Sequence, residues 1–194
     1  MNANPRNPRS SGKPRPARAG NLVMWAVIGV AVVALAAFFA LRGAAPSDAI
    51  AGLQTFSGLS RDHITTSTSY PQAPPVGGAH SAQWLTCGIY DQPVPNENAV
   101  HSMEHGAAWV AYRPDIGPAQ VDKLKGLVRG KAYTLLSPYP GINAPVVAAA
   151  WGVRLELQSA DDARLPKFIQ KYAGGPQAPE PGASCTGGTG TPSE

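Results

Sequence analysis

Two of the chain's four histidines bracket a methionine and a glutamate in the stretch HSMEHG, residues 101–106. Imidazole beside carboxylate is the side-chain chemistry of metal binding and proton transfer. What the stretch can do depends on its backbone. In a helix His101, Glu104 and His105 stand at i, i+3 and i+4 and share one face. That gives an H-x-x-E-H pattern, in which two imidazoles can hold zinc while the glutamate polarises a water. In a strand His101, Met103 and His105 share a face, a softer set better suited to copper. The helix is favoured. Asn96, or a residue close to it, can cap it, and Gly106 supplies the left-handed residue that ends it.

A metal needs at least one more protein donor. The remaining histidines, His63 in RDHITTS and His80 in GGAH, lie close upstream, so all four fall between residues 63 and 105. The candidate metal set is His80, His101, Glu104 and His105, with His63 and Met103 ranked behind them, and the metal is copper or zinc. The competing reading is a buried cluster whose imidazoles only hydrogen-bond to main-chain carbonyls or carboxylates.

Other chemistry is thinly represented. The chain has no G-x-S-x-G, P-loop or G-x-G-x-x-G pattern. No residue is assigned a catalytic role. Asp161–Asp162 reads as a charge pair at a helix N-terminus. Trp84, Trp109 and Trp151 read as core residues.

These residues must be positioned by a fold, and the fold by a compartment. The formal net charge of +4 is unevenly spread. Arg6, Arg9, Lys13, Arg15 and Arg18 load a Pro/Ser/Gly-rich tail, residues 1–21, that carries no acid. That composition cannot repay its ordering entropy and reads as disordered. Acids outnumber bases beyond residue 42, so no folded part offers the clustered positive charge of a nucleic-acid partner.

Leu22 to Leu41 follows with no charged residue. As a helix it would span about 30 Å, the thickness of a bilayer's hydrocarbon core. Trp25 sits near one end, where an interfacial aromatic belongs. The expectation is a single-pass protein of the cell membrane, with a cytoplasmic N-terminus and an extracytoplasmic C-terminal domain. A cleaved signal peptide is the alternative, since GAAPSDA offers small residues for cutting. In an oxidising space Cys87 and Cys185, the only cysteines, should form a disulfide.

Residues 42–60 read as a linker, 61–173 as the extracytoplasmic domain, and 174–194 as a low-complexity tail tied by that disulfide. Prolines make the first half of the domain irregular, with short extended pieces near Trp84 and Ile89–Tyr90. The spacing then predicts a strand in AAWVAYRP, a helix in GPAQVDKLKGLVRG, a second strand in KAYTLLSP and one or two more in APVVAAAWG and VRLELQS. A last helix in SADDARLPKFIQKYAGG would be capped by Ser159 or Asp161. The expected class is α+β, a mainly antiparallel sheet with two or three short helices on one face.

The segments YPQAPPVGGAH, WLTCGIYDQPVPNENAVHSMEHGAAWVAYRP and LLSPYPGINAPVVAAAWG resemble the bacterial domain-of-unknown-function family 3105 (DUF3105), from about His63 to Cys185. The resemblance implies a cytoplasmic tail, one membrane span and an outer domain, and it implies no established activity. It also implies that GGAH, CGIY, HSMEHG and AAWG form one pattern, which groups His80, His101, Glu104 and His105. The functional expectation is a copper- or zinc-binding accessory protein of the cell envelope, more an accessory than an enzyme. Its partners would be the lipid bilayer and another envelope protein. The alternatives are a non-catalytic assembly module and a metal-dependent hydrolase.

Overall fold

The computed structural model describes residues 24–34 and 49–194, which belong to two separate units divided after Asp48. In the first unit residues 24–34 form a helix, α1. The rest of the predicted span 22–41, and the basic tail before it, lie outside the described residues. Among the described residues no helix is long and apolar enough to cross a membrane.

The second unit runs from Ala49 to Glu194. It therefore includes residues read from composition as linker and as low-complexity tail. Its elements in chain order are β1 (Gln54–Thr55), β2 (His63–Ile64), β3 (His80–Ser81), β4 (Gly88–Ile89), α2 (Asn96–Glu104), β5 (Ala108–Tyr112), α3 (Pro118–Val128), β6 (Thr134–Pro138), β7 (Val146–Ala150), β8 (Val153–Leu157) and α4 (Arg164–Tyr172).

Six strands form one sheet in the order β1-β8-β7-β5-β6-β4. The pairs β1–β8, β8–β7 and β7–β5 are antiparallel, while β5–β6 and β6–β4 are parallel. The class is α+β with a mainly antiparallel sheet, as the sequence predicts. Parallel pairing of β5 with β6 needs a crossover, and α3 supplies it. A tight hairpin joins β7 to β8, with Gly152 at φ 72° in the left-handed region.

The helices do not share one face, contrary to expectation. Leu124 and Val128 of α3 and Leu165, Phe168 and Ile169 of α4 pack on the sheet face carrying Val110, Ala148 and Leu155. Ala99, Val100 and Met103 of α2 pack on the opposite face with Trp109, Leu135 and Ala149. The physical reason lies in the central strands. Every residue of β5, β6 and β7 is buried, so both sheet faces need a covering layer. At the sheet's other side β8 alternates buried and partly exposed positions, as its Arg154 and Glu156 foretell. Trp109 is fully buried and its indole N–H donates to Ser137 Oγ at 3.0 Å.

Two predicted caps are corrected. Asn96 is the first helical residue of α2 rather than its cap, and its amide donates to Tyr139 OH instead. Pro95 precedes the helix with no side-chain cap. α4 starts at Arg164, later than Ser159 or Asp161 would require, and has no side-chain cap either. Asp162 accepts the Arg164 N–H at the preceding turn. Pro166 is the third residue of α4, where no intrahelical donor is needed.

Cys87 and Cys185 form a disulfide with Cα atoms 5.3 Å apart. The C-terminal segment it tethers is bonded along the β4 side of the sheet. Thr86 N–H donates to Thr189 O, Ile89 N–H to Glu194 O and Ser193 N–H to Ile89 O. Compositional simplicity here coexists with main-chain pairing that covers an otherwise open edge.

Candidate metal centre

Residues 101–104 lie in α2, and His105 ends it with helical backbone angles. The helix stops in a Schellman arrangement. Gly106 N–H donates to Met103 O and Ala107 N–H to Ser102 O, while Gly106 takes φ 112°. The apolar face of α2 anchors it to the sheet, and Met103 is wholly buried there. Met103 is thereby a core residue and points away from the imidazoles' face. The remaining face carries His101, Glu104 and His105.

Three loop segments close over that face. The first two are β2 and β3, a parallel two-residue pair whose register sets His63 beside His80. The third is the segment before Cys185, which brings Ser184 and Glu180. The imidazoles meet ring to ring. His63 stacks on His101 with centroids 5.0 Å apart, and His80 meets both edge-on at 5.0 Å. His105 meets His101 edge-on at 4.5 Å. Trp151 abuts His80, and Trp84 abuts His101 and His105, so two of the tryptophans wall the cluster.

The hydrogen bonds fix the tautomers. Nδ1 of His80 lies 2.7 Å from Gly78 O, Nδ1 of His101 2.6 Å from Ser81 O, and Nδ1 of His105 2.6 Å from Ser184 O. A carbonyl can only accept, so each Nδ1 carries the proton and each Nε2 of a neutral ring presents a lone pair. The Nε2 atoms turn inward, towards Glu104 or towards one another. His80 Nε2 is 2.9 Å from Glu104 Oε2, and His101 Nε2 is 2.9 Å from His105 Nε2. His63 Nε2 lies 3.9 Å from the same Glu104 oxygen.

Glu104 is the hub. It is buried, its Oε1 accepts from Arg61 Nε at 2.8 Å, and its Oε2 faces His80. Burial alone would raise its pKa. The Arg61 hydrogen bond and the His80 charge outweigh that and hold the carboxyl below its ordinary range. Burial pushes His101 the other way, below the usual imidazole value, against the upward pull of its bond to Ser81. Burial thus favours the neutral form of the His101 ring, the state that binds metal.

One ligand atom from each of His63, His80, His101 and Glu104 lies within 4.8 Å of the others, a spacing at which the four can hold one metal ion. Donors around a tetrahedral zinc, with bonds of about 2.0–2.1 Å, stand about 3.3 Å apart. Closure requires the widest gap to shrink by about 1.5 Å, and the half-exposed His63 side chain has room to move. Of the sequence-derived set, His80, His101 and Glu104 are in this group. His63, ranked behind them, is in it too. His105 stands beside it, touching His101. Cys87 is held in the disulfide and offers no thiolate.

Sequence reasoning missed Arg61 and Glu180. Arg61 donates to Glu104 and, through its second nitrogen, to Glu180 Oε1 at 3.0 Å. Glu180 N–H donates to Glu104 O. Both residues sit in turn-rich segments with no periodic pattern, and only proximity in the fold reveals them.

The model of one protein family, described as "Protein of unknown function (DUF3105)", matches residues 63–187. Comparisons with curated proteins and with solved structures find no match. The family match begins at His63 and takes in every residue of the candidate centre but Arg61. The chain belongs to the DUF3105 family.

Proposed function

We propose that this member of the DUF3105 family is a metal-binding accessory protein of the cell envelope, holding zinc(II) or copper(II) through His63, His80, His101 and Glu104. The observation that carries the reading is the tautomer pattern. The buried His80 and His101 spend their Nδ1 protons on main-chain carbonyls, which turns Nε2 inward to the other donors as the ligand atom. That is how metal-binding imidazoles are oriented by their second partner. The donor set also narrows the metal. Met103 is in the core and both cysteines are bridged, so neither offers the site a sulfur ligand, and among the described residues no sulfur joins the donor group. Nitrogen and carboxylate donors suit divalent zinc or copper better than copper(I).

The envelope location rests on the sequence. The uncharged run 22–41 behind a basic tail has the length of a membrane span. The helix over 24–34 is consistent with it, since Trp25, Val30 and Val33 are exposed on it. The reading as an accessory rather than a hydrolase rests on Glu104. The residue that H-x-x-E-H would offer as a base already has one oxygen on Arg61 and the other on His80.

The test is binding of Zn(II), Cu(II) and Cu(I) to the full chain, purified in mild detergent without a histidine tag and measured by chelator competition. Stoichiometric divalent binding is expected, lost in a His80→Gln/His101→Gln double variant. Binding no tighter in the unchanged protein than in that variant would leave the histidines as structural hydrogen-bond formers.

A further inference from the structure

We propose that the centre holds two divalent ions rather than one, the second bound by His101, His105 and Glu180. This rests on the metal-binding reading above and extends it to residues outside the first four-donor group. The starting point is the contact between His101 Nε2 and His105 Nε2 at 2.9 Å. Both rings keep their proton on Nδ1, where Ser81 O and Ser184 O accept it. Two neutral rings so held bring lone pair against lone pair. An ion bound by both nitrogens turns that repulsion into coordination, at a spacing near the ligand–ligand distance of a tetrahedral site. The third donor is at hand, because Glu180 Oε2 lies 3.9 Å from His105 Nε2.

Arg61 makes the arrangement symmetrical. Its guanidinium takes Oε1 of Glu104 and Oε1 of Glu180. Each carboxylate is left with Oε2 facing a histidine, Glu104 towards His80 and His63, Glu180 towards His105. The cluster thus divides into two sets of two imidazoles and one carboxylate. Each set leaves coordination positions open for water or an anion, and adjacent ions a few ångströms apart can share that bridge. With a single ion present, His101 is available to the first set. With two, it serves the ion it shares with His105. The guanidinium between the carboxylates orients both while bonding only their Oε1 atoms, so each Oε2 is left to face a metal.

The experiment is equilibrium dialysis of the full chain against Zn(II), with bound metal counted, and Cu(II) loading followed by electron paramagnetic resonance. The unchanged protein should take up about two ions per chain, and Glu180→Gln about one. Glu180 is half-exposed, so that substitution leaves the core intact. His105→Gln should also bind one, and circular dichroism checks its folding. Copper loaded to saturation should give a weakened, coupled signal that Glu180→Gln converts to that of an isolated ion. Uptake of a single ion by the unchanged protein overturns the proposal while leaving the metal-binding reading intact. So does uptake of two that Glu180→Gln leaves at two. No uptake at all overturns both.

Discussion

Replacing Glu104 by glutamine separates a metal site from a structural histidine cluster. In the folded protein Glu104 accepts from Arg61 Nε at 2.8 Å and stands 2.9 Å from His80 Nε2. A glutamine can keep its oxygen on Arg61 and turn its amide NH2 to His80 Nε2, donating where the carboxylate could not. Every hydrogen bond is then satisfied without any ion. In chelator the variant should therefore unfold within about 1 kcal/mol of the unchanged protein. Glu104→Ala, which strands His80 and Arg61, should cost about 1–3 kcal/mol. With free zinc at about one hundred times its dissociation constant, the unchanged protein gains about 2.7 kcal/mol. At about 2–4 °C per kcal/mol that is a rise of roughly 5–10 °C in Tm. The glutamine variant should lose most of it, because an amide is a poor substitute for a carboxylate ligand. Thermal unfolding by circular dichroism, with chelator and with zinc, reads both quantities. An equal rise in both proteins would remove Glu104 from the ligand set. A loss above about 2 kcal/mol in chelator would show that the charge holds the fold and that the cluster is structural.

Three further outcomes follow from the same geometry. Gly106→Ala should destabilise by about 1–3 kcal/mol in denaturant unfolding, because φ is 112° and a new Cβ would approach Gly174 Cα to 3.2 Å. Reducing Cys87–Cys185, or replacing both by serine, should cost about 2–5 kcal/mol and weaken zinc binding. The loss would arise next to Ser184, whose carbonyl holds His105, and chelator competition before and after reduction measures it. Acid should destabilise the metal-free fold in two stages. His101 is depressed, so its neutral-state stability is complete above the ordinary value of 6.5 and declines as pH falls from there towards its folded value. Glu104 is also depressed, so its contribution holds above the ordinary 4.5 and is lost as pH falls through its lower folded value. Denaturant midpoints between neutral pH and acid would follow both.

How legible this was in the sequence depended on range. The regular elements follow from local pattern: β8 from the alternation of Val153, Leu155 and Leu157 with charge, α3 from Pro118 at its start and Gly130 beyond its end. α2 and its H-x-x-E-H face follow from Gly106, whose left-handed backbone a helix end needs. The caps did not follow, because Asn96 found a tertiary partner in Tyr139 that no local rule contains. His63 is hard to single out in the sequence for a related reason. Its place beside His80 comes from a two-residue parallel pairing between loops, too short to leave a period in the sequence. Arg61 and Glu180 were invisible because only the closing of the C-terminal segment over α2 brings them together.

The same division of range explains why the centre can be rigid on one side and adjustable on the other. His101 and Glu104 ride on a helix nailed to the sheet by Ala99, Val100 and Met103, and His80 is fully buried with its Nδ1 on Gly78. These positions are preorganised by the core, so their donors need little rearrangement to take an ion. His63, Arg61 and Glu180 sit on the outer segments with about half of each side chain exposed. They can move by the distance that closure around a metal demands. Metal entry should therefore order the outer segments and leave α2 unchanged. Hydrogen exchange with and without zinc reads this directly. Added protection confined to residues near 61–64 and 178–185 fits the division, while protection spread through α2 and β5 would mean that the helix itself forms only around the ion.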